Sequence, residues 1–193
     1  MNIKKIIIIT IISFLYSNEI LDTGYDKKIN YSFTKQYLSY EIMIGDVEIQ
    51  SIEKNNDNFL RINFNGSYPS KNIGNPELPQ LNQLIEIPLQ SNIRIEIIED
   101  DFFEIDLNQY GENIKLFPTQ PSIAKSSNLN KVNFIFNKDT YNKNTYIKNE
   151  LVTVEDEGTI REINIGNIQV SPIEYNPVTN KLLIHNKIKF NIY

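Results

Sequence analysis

From Tyr31 to Tyr193, apolar residues return at every second position in one short stretch after another. A β-strand with one face in the core and the other in water produces this spacing. After residue 17, no window of a dozen residues shows the 3.6-residue period of an amphipathic helix. The alternation predicts strands within residues 60–64, 93–97, 103–107, 132–136, 152–154, 163–165, 168–170 and 182–192.

Segments rich in Asn, Gly and Pro separate these stretches. Many short strands joined by such turns predict an all-β fold, an antiparallel β-sandwich or jelly-roll-like single domain over residues 31–193. The alternation slips by one position between Ile165 and Ile168, next to Gly166. We predict a β-bulge there, which would turn both halves of the strand toward the same core.

The N-terminus has the features of a secretory signal peptide. Lys4 and Lys5 precede a short apolar run, and a cleavage site follows Ser17, so residues 1–17 are predicted to be removed on export. The run is shorter than the roughly 20 residues of a membrane span, and we expect no transmembrane anchor in the mature chain. A buried N-terminal strand is the alternative. Residues 18–30 are polar without a period, and we expect a flexible segment.

Composition excludes several classes of function. The chain has no Cys and a single His, so it forms no disulfide, thiolate metal site or Cys-His nucleophile pair, and we expect no catalytic residue, metal or cofactor. Removal of residues 1–17 changes the formal charge from −5 to −7. Without a basic patch, nucleic acid is not expected as a partner. Export without disulfides fits secretion through a bacterial envelope.

A first proline-rich segment lies in the middle of the chain. Gly74, Pro76, Leu78 and Pro79 fix a bend ahead of a strand, because proline restricts its own φ and extends the residue before it. We interpret this segment as packing and turn structure without a chemical role.

A second such segment lies near the C-terminus. Tyr175, Asn176 and Pro177 predict the turn of a hairpin between strands at 163–173 and 181–193. We expect the Tyr175 ring to be buried and its hydroxyl to bond a backbone group.

These segments together resemble the N-terminal pro-region of gingipain-family secreted cysteine peptidases. The resemblance covers roughly residues 35 to 193 and rests on Gly74, Pro76, Leu78, Pro79, residues 93–97, Pro118, Tyr141, Gly158 and residues 171–179. It implies a non-catalytic β-sandwich that helps a peptidase fold, keeps it latent during export and is then removed. The expected partner is a cognate gingipain-like cysteine peptidase domain, in cis or in trans. The chain is then a truncated precursor or a stand-alone propeptide module.

The resemblance also implies an inhibitory loop. In the family, a basic side chain from the middle of the pro-region occupies the substrate pocket of the peptidase. The corresponding residue here is Lys125, flanked by Ile123, Ala124 and Ser126, where the resemblance to arginine-specific members would place arginine. The alternative is an ordinary solvated lysine.

Other polar groups are interpreted as solvated. His185 is expected on the polar face of the last strand, exposed to water. Glu99, Asp100 and Asp101, with Glu104 nearby, lack the spacing of a calcium loop and are expected in a turn. Residues 155–157 are likewise expected in a turn. A competing function is a secreted cell-surface β-sandwich for adhesion or glycan binding.

Overall fold

The computed structural model describes residues 18–88, 92–122 and 133–193. The predicted signal peptide lies outside these ranges. Within them the chain forms twelve strands, one short 3-10 helix (η1) and one short α-helix (α1). In chain order they are β1 (Glu19–Leu21), β2 (Lys28–Phe33), β3 (Leu38–Met43), β4 (Val47–Lys54), β5 (Asp57–Phe64), β6 (Leu81–Glu86), β7 (Ile95–Asp106), η1 (Leu107–Tyr110), β8 (Lys115–Leu116), α1 (Lys138–Tyr141), β9 (Val152–Ile160), β10 (Ile163–Val170), β11 (Ile173–Asn176) and β12 (Lys181–Ile192).

The strands form three sheets around one core. The first has the order β1-β4-β5-β8, the second β6-β10-β9 and the third β11-β12-β3-β2, with β7 paired to β12. All pairs are antiparallel except β5 with β8. Side chains from all three sheets, such as Ile62, Ile168 and Ile184, belong to the same buried cluster. The prediction of an all-β single domain is confirmed.

Strand β12 lies at the centre of the third sheet. Residues 181–184 pair with β11, residues 187–192 pair with β3, and β7 pairs with β12 along its whole length. The alternation read from the sequence decides which face is buried: Ile184, Ile188 and Phe190 are all 0% exposed. Asn186 lies where β12 changes partner, and its side chain donates a hydrogen bond to the Thr23 carbonyl at 2.9 Å.

One long strand replaces two predicted ones and the turn between them. Residues 93–97 and 103–107 were expected as separate strands, whereas β7 runs without interruption from Ile95 to Asp106. The acidic residues between them therefore lie in a strand, and the turn prediction is wrong. The reason is non-local: β12 offers a twelve-residue edge, and β7 satisfies its backbone groups with two small register shifts.

The predicted bulge is present in the β9–β10 pair, but on the other strand. Ile165 pairs with Gly158 and Gly166 with Asp156, so the extra residue is Glu157. Strand β10 keeps a strict alternation, which leaves Ile163 exposed, and the prediction that both halves face one core is wrong. Residues 155–157 lie within β9 and not in a turn, because β10 pairs with β9 as far as Ile160.

Two further expectations concern residues 132–136 and residues 18–30. Residues 133–137 join no sheet, so the strand predicted at 132–136 is wrong over the part that the structure describes. Their aromatic rings pack on Phe59 without a strand partner, with centroids 5.6 Å away for Phe134 and 6.2 Å for Phe136. Residues 18–30 contain β1 and the start of β2, which pair with β4 and β3; their flexibility stays a prediction.

The C-terminal hairpin is confirmed around its turn. Its first strand is the short β11, and residues 163–170 belong to another sheet. Tyr175 is fully buried as expected, and its hydroxyl donates to the side-chain Oδ1 of Asn180 at 2.8 Å. The expected backbone partner is present as well, since the Leu116 backbone forms a hydrogen bond with the Tyr175 side chain. Burial raises the pKa of Tyr175 above its ordinary value.

No helix among the described residues is both long and apolar enough to cross a bilayer.

Substituting Gly166 with alanine will destabilise the domain. An added Cβ would lie 2.8 Å from Cγ2 of the buried Ile87. We expect Gly166→Ala to lower the free energy of unfolding by about 1–3 kcal/mol, measured by urea denaturation. Ile87→Ala removes the clashing atoms, so the double variant should lose less stability than the two single losses added together. Strict additivity would contradict the close contact.

Removing the Tyr175 hydroxyl will also cost stability. Tyr175→Phe leaves the buried Asn180 oxygen without its donor, and we expect a loss of about 1–3 kcal/mol in urea denaturation. Tyr68→Phe is the matched control, because the Tyr68 ring is 58% exposed and should leave the midpoint unchanged. Equal midpoints for both variants would show that the buried bond is not stabilising.

Candidate functional site

The candidate inhibitory residues lie between two described segments. Lys125, Ile123, Ala124 and Ser126 all fall within residues 123–132, outside the described ranges. The flanking segments, residues 117–122 and 133–137, are called the stem here. They are joined to each other and to residues 74–78, called the brace.

The Gln120 side chain ties the two sides of the stem together. Its Nε2 donates to the Ile135 carbonyl at 2.8 Å, and the Ile135 amide donates to its Oε1 at 3.0 Å. One primary amide thus satisfies both backbone groups of a residue on the opposite segment, as a neighbouring strand would. The two ends of the intervening segment are therefore held side by side.

The brace lies against both sides of the stem through backbone bonds. The Gly74 amide donates to the Thr119 carbonyl at 2.8 Å, and the Gly74 carbonyl accepts from the Asn137 amide at 2.9 Å. The Thr119 amide donates in turn to the Asn75 carbonyl at 2.8 Å. Gly74 has a φ of 82°, and a Cβ there would lie 3.1 Å from Ile135 Cγ2. Both the backbone angle and the close approach favour glycine.

Side-chain amides secure the second side of the stem. Asn75 Oδ1 accepts from Asn137 Nδ2 and from the Thr140 hydroxyl, both at 2.9 Å. The Oδ1 of Asn137 accepts from the Thr140 amide at 3.3 Å and so caps helix α1. The chain that leaves the loop is therefore fixed where α1 begins.

Aromatic rings form the floor beneath the stem. Phe117 and Phe134, from its two sides, have ring centroids 5.7 Å apart. Phe136 stacks on Tyr141 at 4.1 Å, and the Tyr141 hydroxyl donates to the Leu116 carbonyl at 2.6 Å. Burial raises the pKa of Tyr141, which therefore stays protonated and keeps donating. The stem is anchored by apolar packing as well as by hydrogen bonds.

A charge pair attaches the brace to β5. Arg61 Nε lies 2.9 Å from Glu77 Oε1, and the guanidinium carbon lies 4.7 Å from the Phe117 ring centroid. Burial raises the pKa of Glu77, and the Arg61 charge opposes this shift. The pair places Phe117, the first stem residue, between a cation and the aromatic floor.

The sequence analysis identified the brace but not what it does. Gly74, Pro76, Leu78 and Pro79 do form a bend ahead of β6, yet the same segment also bonds the stem. Gln120 was missed altogether. It carries no sequence signal, because its partner lies fifteen residues further along the chain.

His185 is buried, and the prediction of a solvated histidine is wrong. Its Nδ1 lies 2.6 Å from Asp100 Oδ1 and its Nε2 lies 3.4 Å from Glu174 Oε1, while the Phe102 ring covers it at 5.6 Å. It does lie on the face of β12 opposite the core, but β7 and β11 bring side chains over that face. The alternation of residues along β12 does not show that side chains of other strands bury this face.

The acidic cluster is paired with side chains of the third sheet. Glu99 accepts from Lys187 at 2.5 Å, and Glu104 accepts from Lys181 at 2.6 Å and from the Tyr146 hydroxyl at 2.5 Å. The Lys181 and Tyr146 hydrogen bonds lower the pKa of Glu104. Within residues 18–88, 92–122 and 133–193, no group of three or more His, Cys, Asp or Glu side chains is arranged to hold a metal ion.

An apolar groove of about 900 Å³ lies between the edge strands β2 and β6. On one side it exposes Tyr31 and Phe33, whose side chains are 71% and 81% accessible, and on the other Leu84, at 63%.

Known proteins resemble this chain in sequence and in fold. The family model Propeptide_C25 matches residues 32–193. Lys-gingipain and Lys-gingipain W83 of Porphyromonas gingivalis are each 31% identical over 150 residues, which is 77% of this chain and 8% of theirs. The chain thus spans about 8% of the length of the curated relatives it matches.

Two solved structures have the same architecture. One, from work on the zymogenic latency of gingipain K from Porphyromonas gingivalis, superposes with a TM-score of 0.84 at 26% identity, over 91% of this chain and 97% of that one. The other, a complex of Porphyromonas gingivalis RgpB pro- and mature domains, has a TM-score of 0.74 at 16% identity, over 87% and 85%, and supports the fold alone. Because the family model spans nearly the whole described chain, the chain belongs to the gingipain propeptide family, Propeptide_C25, and is a pro-region rather than a catalytic domain.

Proposed function

We propose that the chain is the latency-maintaining inhibitor and intramolecular chaperone of a secreted gingipain-like cysteine endopeptidase, exported with residues 1–17 as signal peptide. Family membership supports this role, as does the likeness to a gingipain K structure concerned with zymogenic latency. The observation that carries it is the stem, which holds the two ends of the segment containing Lys125 side by side.

A fixed stem favours inhibition because it lowers the entropy lost when the loop binds. The Gln120 clamp and the brace act before any partner arrives, so fewer backbone angles have to be ordered on binding. Lys125 would enter an acidic pocket as a point charge, and Ile123 and Ala124 would pair with a strand edge of the enzyme. The matched relatives are named Lys-gingipains, which is consistent with a partner that accepts lysine.

The nucleophile belongs to the partner. This chain has no Cys, and its single His is buried between two carboxylates. If the two domains share one polypeptide, the effective concentration is on the order of 1 mM, and a nanomolar intrinsic affinity would stabilise the folded peptidase by roughly 8 kcal/mol. Binding that stabilises the folded peptidase to this extent would by itself explain a chaperone role.

A second candidate function is adhesion or glycan binding by a secreted β-sandwich. The exposed Tyr31 and Phe33 rings, which line the groove between β2 and β6, favour it, since sugars stack on accessible aromatic faces.

The first prediction from the proposed role concerns Lys125. We expect Lys125→Ala to weaken inhibition of a gingipain-like peptidase from the same organism about 100-fold, the size of a hot-spot loss. Thermal unfolding followed by circular dichroism should be unchanged. Lys71→Ala, which removes an exposed lysine elsewhere, is the control for net charge.

Unchanged inhibition by Lys125→Ala would contradict the assignment of this residue. If the wild-type chain inhibits no such peptidase, yet binds a glycan array and loses that binding in Phe33→Ala, the second function is favoured.

The second prediction concerns the clamp. We expect Gln120→Ala to weaken inhibition about tenfold with only a small loss of stability, because its bonds lie at the surface and order the loop rather than the core. Gln83→Ala is the matched control, since that exposed amide bonds only the neighbouring Leu84 carbonyl. Equal inhibition constants for Gln120→Ala and wild type would remove the stem from the mechanism.

A further inference from the structure

The turn between β9 and β10 is strained. Arg161 and Glu162 form this two-residue turn with φ values of 49° and 71°. Such turns need positive φ at both positions, which glycine and asparagine supply easily and most other residues do not. Every other described non-glycine residue with positive φ is an asparagine, namely Asn55, Asn56, Asn113 and Asn180. The β9–β10 turn thus departs from the rule that the rest of the chain follows.

The tip of this hairpin is only loosely joined to the domain. Beyond the bulge at Glu157 only three residue pairs remain, and β6 begins to pair with β10 at Ile165. Ile160 and Ile163, which face each other next to the turn, are 65% and 45% exposed. Asn164, in the next pair, is 5% exposed, and its carbonyl accepts from the Ile87 amide at 3.0 Å, which marks where the hairpin joins the domain. Opening of the Ile160–Ile163 pair beside the turn exposes little core surface, so the tip can open there without global unfolding.

Arg161 also differs from the other two arginines of the chain. Arg61 is paired with Glu77 and lies over the Phe117 ring. Arg94 lies 4.1 Å from the Tyr193 ring centroid, and its backbone bonds that of Tyr193 in both directions. Arg161 is exposed and makes no hydrogen bond, ion pair or ring contact with any described residue.

We propose that the Arg161–Glu162 peptide bond is a regulated cleavage site for an arginine-specific endopeptidase. When the tip opens, the free Arg161 side chain enters the acidic pocket of such an enzyme. Hydrolysis breaks the bond between the Arg161 carbonyl carbon and the Glu162 nitrogen; water supplies hydroxyl to the new carboxyl group and a proton to the new amine.

Cleavage here would dismantle the pro-region. The fragment that begins at Glu162 carries β10, β11 and β12, and β12 pairs with three other strands. Once the bond is cut, the central strand is held only by non-covalent contacts, so the fold depends on the concentration of two fragments. The strained turn is therefore a release point for a spent pro-region. It lies outside residues 123–132, so its variants leave Lys125 unchanged.

The test is limited digestion of the purified chain with an arginine-specific endopeptidase, followed by intact-mass spectrometry. The chain offers only Arg61, Arg94 and Arg161, and lysines such as Lys125 are not cut. We expect the first cut after Arg161, and Arg161→Gln should remove it. A first cut after Arg61 or Arg94 would overturn the proposal.

Glu162→Gly tests the strain itself. Glycine adopts the positive φ of position 162 without strain, so the tip should stay closed and cleavage should slow about tenfold. Each rate is divided by the rate for a synthetic peptide of residues 155–167 with the same sequence, which removes the effect of the substitution on recognition by the protease. Asn55→Arg is the matched control: it puts arginine in the β4–β5 turn, where pairing is unbroken as far as Lys54 with Asp57, and it should be cut at least tenfold more slowly. Equal normalised rates for Glu162→Gly and wild type, or equal rates at the two turns, would overturn the proposal.

Discussion

Strand β12 needs hydrogen-bond partners along both of its edges, and the rest of the fold is arranged to supply them. Its core-facing side chains Ile184, Ile188 and Phe190 exclude water completely, so unpaired backbone groups there would be costly. Strand β7 covers one edge, and β11 and β3 share the other. The point at which β12 changes from β11 to β3 is filled by Asn186, whose amide bonds the chain entering from β1.

Irregular chain, rather than a sheet, forms most of the stem that flanks the proposed inhibitory segment. The Phe117 amide still bonds the Leu60 carbonyl of β5, but beyond it the Gln120 side chain and the backbones of Gly74 and Asn75 bond the backbone groups of Thr119, Ile135 and Asn137. Side-chain amides suit this task because each offers a donor and an acceptor in fixed geometry.

The stem is well anchored to the domain, whereas the β9–β10 turn is strained. Hydrogen bonds and aromatic packing fasten the stem, and an ion pair fastens the brace beside it. The turn instead places Arg161 and Glu162 in a backbone conformation that both residues disfavour. The proposed function requires the pro-region to bind a peptidase firmly and to be removed later. The stem would serve the first requirement and the β9–β10 turn the second, because the two lie in different parts of the same domain.

The amino-acid sequence alone was enough to predict the fold class, the family and many of the core residues. Alternation identifies the face of a strand, and Leu60, Ile62, Leu182 and Ile184 are buried as it predicts. Four features became visible only in the folded chain: β7 is continuous, the bulge residue is in β9, His185 is covered and Gln120 closes the stem. They could not be predicted because the face of a side chain follows from its immediate neighbours, whereas its partners come from chain segments many residues away.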